Sequence, residues 1–304
     1  MTDLNITVNG IEFRNPVMVA SGIAGYGTEW DGLCGFKKLG GIVLKGVSLE
    51  PWPGNPPPRL AETPSGILNA IGLENVGLDA FLNEKLPALE SLDTVVVANV
   101  VGRTAAEYAE VCAALDRQST VAALEINVSC PNVESGGITF GTDIKTLVEI
   151  VSACRAATDK PLWVKLSSGV SDITPFAVAA VEAGANALTV ANTIPAMAID
   201  VENRRPVLGN TYGGLSGPAV LPVALRLVHL TVKTVDVPII ASGGAAGWQE
   251  VAAFILAGAS LVQMGTALFG DPTAPEAAIS GLAEYIERAG LNNVRELIGA
   301  LESR

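Results

Sequence analysis

Thr94-Val95-Val96-Val97-Ala98-Asn99, the stretch from Ala105 to Arg117, and Ala122-Ala123-Leu124-Glu125-Ile126-Asn127 together decide the fold. The two short runs are apolar almost throughout, as parallel strands covered by helices on both faces are. Between them lies a helical pattern, so the three pieces read as one β-α-β unit. The same alternation continues along the chain. Six further strand-like runs are Val17–Ala20, Gly41–Lys45, Leu162–Lys165, Ala187–Ala191, Pro238–Ala241 and Leu261–Met264. Helical patterns occupy Asp143–Ala157, Asp172–Ala183, Pro218–Thr234, Trp248–Leu256 and Ala274–Ala289. Eight such runs predict an α/β fold, a (β/α)8 TIM barrel. A doubly wound sheet would open on GxGxxG before a helix, and Ser21-Gly22-Ile23-Ala24-Gly25 is not that motif. Ahead of the barrel, Asn9-Gly10 between Asn5–Val8 and Ile11–Phe13 predicts a tight β-hairpin that plugs one barrel end. No linker, short-period repeat or low-complexity tail interrupts the chain, so residues 1–304 read as a single domain.

The chain has 304 residues, 49% of them hydrophobic, enough for a sizeable core. Its formal charge of −12 argues against nucleic acid or an anionic membrane as a general partner, because both need a basic surface. The single His, His229, lies in a helical run, which leaves little room for a His-based triad or a multi-His metal site. Cys34, Cys112, Cys130 and Cys154 form no CxxC pair, so neither zinc nor an iron–sulfur cluster is expected on this chain. No disulfide framework is suggested, the start Met1-Thr2-Asp3-Leu4-Asn5 has no signal-peptide character, and every apolar run breaks before about 18 residues. A cytoplasmic location without a membrane span is the expectation.

Chemistry-bearing residues gather where the apolar runs stop. The ends are Ser21-Gly22, Lys45-Gly46, Asn99, Asn127 with Cys130, Lys165, Asn192-Thr193, Ser242-Gly243-Gly244 and Gly265-Thr266. In a barrel those ends converge on one mouth, the face that carries barrel active sites. Strands that simply end on polar residues would explain any one of these, but not two Lys and three Asn in such places. Gly243-Gly244 and Gly265-Thr266 follow the seventh and eighth strands, the usual barrel phosphate site. Each pair alone would pass for a tight turn. Lys45 and Lys165 invite an anion, with a Schiff-base role as the competing chemistry. Asn69, Asn127 and Asn192 suit a planar ring with carbonyl and N–H edges. Cys130 sits at a strand end below a Gly-rich loop, whereas Cys34, Cys112 and Cys154 read as small buried hydrophobes. Two long Pro- and Gly-rich connections, Val47 to Ala70 and Asn192 to Ser216, follow strand ends and are expected to be functional.

These motifs resemble those of the class 1 dihydroorotate dehydrogenases, flavin enzymes of pyrimidine synthesis. The matching pieces, in order, are Ala20-Ser21-Gly22, Lys45-Gly46 with Glu50-Pro51 and Gly54-Asn55-Pro56, Asn69-Ala70-Ile71-Gly72-Leu73-Glu74-Asn75, Asn127-Val128-Ser129-Cys130-Pro131-Asn132, Ala191-Asn192-Thr193, Gly213-Gly214-Leu215-Ser216-Gly217-Pro218 and Ser242-Gly243-Gly244. They span essentially the whole chain. A Cys at the base position marks class 1, and Val133 to Gly141 resembles class 1B rather than the fumarate-using class 1A. Trp52 departs from the family's Glu-Pro-Arg pattern.

The resemblance implies dihydroorotate oxidation to orotate, with FMN at the barrel mouth. It carries FMN contacts to Ser21, Lys45, Gly46, Asn99, Asn127, Lys165, Ala191, Gly217, Gly243, Gly244, Gly265 and Thr266. Substrate contacts map to Lys45, Asn69, Ala70, Ile71, Gly72, Leu73, Asn127, Asn192 and Thr193. Cys130 becomes the base that takes the C5 proton, under a lid from Pro131 to Gly141, and no metal is implied. Class 1B pairs this chain with a partner subunit bearing FAD and a 2Fe–2S cluster, which passes electrons to NAD+. A heterotetramer of two catalytic and two electron-transfer subunits follows. The alternatives are a class 1A-type enzyme using fumarate, a related flavin enzyme acting on another pyrimidine, a phosphate-binding barrel lyase with a Schiff-base Lys, and a barrel kept only as a binding subunit.

Overall fold

A computed structural model describes residues 2–30, 32–128 and 142–302. The strands run β1 (Ile6–Val8), β2 (Ile11–Phe13), β3 (Val17–Val19), β4 (Gly41–Val43), β5 (Leu60–Thr63), β6 (Gly66–Asn69), β7 (Val95–Val100) and β8 (Ala123–Asn127). They continue as β9 (Leu162–Lys165), β10 (Ala187–Val190), β11 (Ile194–Ala196), β12 (Ile199–Asp200), β13 (Arg205–Pro206), β14 (Gly213–Ser216), β15 (Ile239–Ser242) and β16 (Leu261–Met264). β3, β4, β7, β8, β9, β10, β15 and β16 close into a parallel barrel in that order. These are the eight runs expected from the sequence, with ends differing by at most two residues. Helices cover the barrel at Ala105–Asp116, Ile144–Ala157, Thr174–Glu182, Leu221–Val232, Trp248–Leu256 and Ala274–Arg288.

The hairpin β1–β2 forms as the Asn-Gly pair requires. Asn9 and Gly10 both take positive φ, 50° and 79°, the geometry of a two-residue turn matched to strand twist. Its Ile6, Val8 and Phe13 pack with Met18, Val43, Val97, Ala123, Trp163, Ala187, Ile240 and Leu261, one inward residue from each barrel strand. The Trp163 indole N–H donates to Asn9 Oδ1 at 3.0 Å, and its ring lies 6.2 Å from that of Phe13. The hairpin therefore closes the N-terminal end of the barrel, and any site must open at the other.

Both long connections carry structure that their composition conceals. β5 and β6, from the first, join β11 and β14, from the second, in an antiparallel sheet ordered β11-β14-β6-β5. These segments are short and interrupted by Gly and Pro, so no alternation announces them; the β6–β14 pairing, 145 residues apart at Asn69 and Gly214, joins the two connections. A further helical stretch, Leu78–Leu89, passes through a π turn at Phe81–Lys85 and buries Leu78, Phe81, Leu86 and Leu89. Only two short 3-10 turns, Thr28–Trp30 and Phe36–Lys38, connect β3 to β4 among the described residues.

Candidate active site

Side chains alternate along a strand, so residues two positions after the plug-facing layer also point into the barrel. From Val97, Ala123, Trp163, Ala187 and Leu261 that step reaches Asn99, Glu125, Lys165, Thr189 and Gln263. All five are buried, and Glu125 is wholly so. The Glu125 carboxylate is their hub. Its Oε1 accepts from Asn99 Nδ2 at 2.8 Å and lies 3.6 Å from Lys165 Nζ. Its Oε2 accepts from Thr189 Oγ1 at 2.8 Å and Gln263 Nε2 at 2.7 Å. Lys165 Nζ also donates to Ser21 Oγ at 3.1 Å, which brings two expected site residues together. Gln263 turns its carbonyl Oε1 into a buried position with no hydrogen bond among the described residues. Glu125, Thr189 and Gln263 were not singled out from sequence. The signal was a charge inside an apolar strand, at the same pleat parity as Asn127.

Above this layer stands the rim. Asn127, the last residue of β8, gives its backbone carbonyl to the Tyr108 hydroxyl at 2.8 Å and accepts from Asn192 Nδ2 at 3.3 Å. Asn192 Oδ1 accepts in turn from the Thr193 backbone N–H at 2.8 Å. Ala191 is tied by its N–H to the Ser242 carbonyl at the end of β15. Asn69, closing β6, donates to the Gly214 carbonyl at 3.2 Å, so the small sheet holds it beside the mouth. Ala70, Ile71 and Gly72 are held against Asn55: Asn55 donates from its side chain to Ala70 O and from its backbone to Ile71 O. Gly72 and Leu73 then reverse the chain with φ of 72° and 56°. A Cβ on Gly72 would meet Asn55 N at 2.5 Å, so this approach requires glycine.

Lys45 does not point into the Glu125 network. Its Nζ lies 3.7 Å from Glu74 Oε2, an atom that also binds Arg59 at 2.9 Å. The Tyr26 hydroxyl joins two candidate segments, donating to Gly46 O at 3.2 Å and accepting from Val76 N at 3.4 Å. Burial pushes this phenol up to about 12. At the ends of β15 and β16, Gly243 and Gly244 have φ of 136° and 86°. A Cβ on Gly244 would sit 2.7 Å from Leu221 N, so this turn must lie against the start of the helix Leu221–Val232. A Cβ on Gly265 would meet only ordinary contacts, the nearest atoms lying 3.6 Å away. Thr266 donates to Ser216 Oγ at 2.8 Å, next to Gly217.

Cys130 and the expected lid, Pro131 to Gly141, lie outside the described residues. Cys34, Cys112 and Cys154 are buried free thiols, as their sequence settings imply. Burial pushes Cys34 up to about 11, and the Cys154 contact together with burial raises Cys112. Trp52 pairs by backbone with Asn75, and the Arg103 guanidinium stacks 5.2 Å over its ring. Among the described residues, no helix is long and apolar enough to cross a membrane, and no cluster of His, Cys, Asp or Glu is arranged to hold a metal.

The family model for dihydroorotate dehydrogenase matches residues 3–286. A relative from Geotalea daltonii is 51% identical over 300 residues, covering 99% of this chain and 98% of its own. One from Pelobacter propionicus is 50% identical over 300 residues, covering 99% of each chain. Both are named dihydroorotate dehydrogenase B (NAD(+)), catalytic subunit. Among solved structures, a dihydroorotate dehydrogenase from Eimeria tenella in complex with ferulenol superposes with a TM-score of 0.82 at 24% identity. That match covers 98% of this chain and 88% of the other, and at such identity it speaks for the fold. A family match over nearly the whole length, with half the positions identical to curated relatives, makes this chain a member of the dihydroorotate dehydrogenase family.

Proposed function

We propose that the chain is the catalytic subunit of an NAD-linked dihydroorotate dehydrogenase, oxidising dihydroorotate to orotate in pyrimidine synthesis with FMN as its bound cofactor. The observation that carries the reading is the polar layer inside the barrel. It holds the Lys165 ammonium, the Asn99 amide and the partnerless acceptor Gln263 Oε1 below a rim of Asn127 and Asn192. A buried acceptor without a donor fits a ligand bearing a ring N–H.

Ser21, Lys45, Gly46, Asn99, Asn127, Lys165, Ala191 and Gly217 are proposed to hold the flavin ring and its chain. Gly243, Gly244, Gly265 and Thr266 are proposed for its phosphate, because small residues after the seventh and eighth strands let backbone N–H groups approach an anion. Lys45, Asn69, Ala70, Ile71, Gly72, Leu73, Asn127, Asn192 and Thr193 are proposed to hold the pyrimidine. FMN, when bound, supplies the two-electron acceptor for the hydride that leaves C6. Cys130 takes the C5 proton on the opposite face; its motif and its place after β8 support that role. A free thiol has a pKa of about 8.5, so positive charge beside it would raise its thiolate fraction. Lys165 offsets negative charge that develops on the cofactor edge. The amides of Asn127 and Asn192 orient the substrate ring.

The relatives' names, NAD(+) and catalytic subunit, favour NAD+ over fumarate as the final acceptor and support a separate partner subunit. That partner is proposed to carry FAD and a 2Fe–2S cluster in a heterotetramer of two subunits of each kind, in the cytoplasm. The test is anaerobic addition of dihydroorotate to the purified protein. Bleaching of the flavin absorbance is expected, and a yellow protein that does not bleach would refute the activity. Adding NAD+ should then restore the colour quickly only when the partner is present.

A further inference from the structure

Glu125 is a charged residue at the centre of the molecule for which the proposed reaction has no use. It reaches four side chains from four other strands: Asn99 on β7, Lys165 on β9, Thr189 on β10 and Gln263 on β16. All four are donors, and an ionised carboxylate only accepts. Both amides must therefore turn their NH2 groups to Glu125 and their carbonyl oxygens away from it. For Gln263 the oxygen so placed is the one left without a protein partner. Lys165 is held between the carboxylate and Ser21.

We propose that Glu125 is a positioning residue that sets both the hydrogen-bonding face and the net charge that the barrel presents to its flavin. The inference rests on the reading of the site as an FMN site. Glu125 fixes which ends of Asn99 and Gln263 are available to a ligand. Its negative charge offsets that of Lys165, so the bound flavin is reduced less readily than the lysine alone would dictate. A neutral Gln at this position keeps the shape, removes the charge and presents an NH2 group where only acceptors stood.

The test is the two-electron reduction potential of FMN bound to wild type, Glu125→Gln and Thr189→Val. Glu125→Gln should make reduction at least tenfold more favourable, a positive shift of about 30 mV or more. Thr189→Val removes one donor from the carboxylate and leaves its field less compensated, so its potential should move the opposite way. A residue that merely supports the fold would produce no such pair of opposite signs. An unmoved or more negative potential in Glu125→Gln overturns the proposal. If that variant folds poorly or loses FMN, Thr189→Val decides, and an unmoved or more positive potential overturns it. Wild-type protein that takes up no FMN would overturn the functional reading and this inference together; FMN uptake with unmoved potentials overturns the inference alone.

Discussion

Lys165→Met should destabilise the flavin-free protein by about 3 kcal/mol, and most of that loss should vanish when Glu125 is neutralised as well. The two charged atoms lie 3.6 Å apart, with side chains 6% and 0% exposed. At an effective dielectric constant of about 20, two unit charges at that distance attract by about 5 kcal/mol. Removing one partner of a buried pair costs roughly 3–5 kcal/mol, because the other charge is stranded. Here the stranded carboxylate keeps donors from Asn99, Thr189 and Gln263, which places the loss at the lower end. In Glu125→Gln/Lys165→Met no charge remains to be stranded. Equilibrium denaturant unfolding of wild type, both single variants and the double variant gives the coupling energy directly. The flavin-free form is used because a ligand that binds only the folded state would add its own stabilisation. A coupling of about 2 kcal/mol or more is expected. A value under about 0.5 kcal/mol would refute the view that these side chains act as one charge pair.

Alkaline pH should weaken the fold through Cys34 and Tyr26. Burial raises them from 9.0 to about 11 and from 10.0 to about 12, so the unfolded chain loses these protons first. Their contribution is complete below about pH 9 and is lost as the pH rises through 11 and 12. Denaturant unfolding at pH 8 and 10.5 should show a smaller loss in Cys34→Ala and in Tyr26→Phe than in wild type; equal losses would exclude burial as the cause. Gly244→Ala should cost roughly 1–3 kcal/mol, because its φ is 86° and the new Cβ would sit 2.7 Å from Leu221 N. Gly265→Ala meets nothing closer than 3.6 Å, so it should keep stability while weakening FMN binding in a fluorescence titration; full FMN affinity would remove Gly265 from the phosphate site. Cys130→Ala should keep FMN and orotate binding but lose most turnover, and Cys130→Ser should be slow and recover at high pH. Near-wild-type flavin bleaching by dihydroorotate in Cys130→Ala would exclude Cys130 as the base.

The barrel was legible because its strands are buried on both faces and so read as mostly apolar runs. The hairpin was legible because Asn9-Gly10 meets a specific backbone requirement, positive φ at two successive residues. The small sheet was not, since Gly66–Asn69 and Gly213–Ser216, which join its two halves, lie in connections far apart in sequence. Nor was Leu78–Leu89, where Pro87 and a π turn break the helical period. Within the site, the rim was legible because polar residues at strand ends stand out against apolar runs. Lys165 and Ser21 could each be named, but their contact could not, since they lie 144 residues apart. Glu125 was hidden by the reading that found the strands. An apolar run is recognised by averaging over its residues, and one charge among Ala123, Leu124 and Ile126 disappears in the average.

The place of that charge also separates what the barrel controls from what its loops control. Parallel registers set Asn99 beside Glu125, Asn127 beside Lys165 and Lys165 beside Thr189, at the spacing of neighbouring strands. Those distances belong to the backbone ladder and do not change when a loop moves. The groups expected to meet the pyrimidine from Asn69 to Leu73 belong instead to segments braced by Asn55, Arg59 and Glu74. Substitutions in these segments should therefore alter substrate affinity while leaving the potential of the bound flavin where the strands set it. Substitutions around Glu125 should do the reverse. The division follows from geometry: a carboxylate contacted from four other barrel strands is held inside the barrel by all of them, and a residue on a loop is held only as firmly as the contacts at its base.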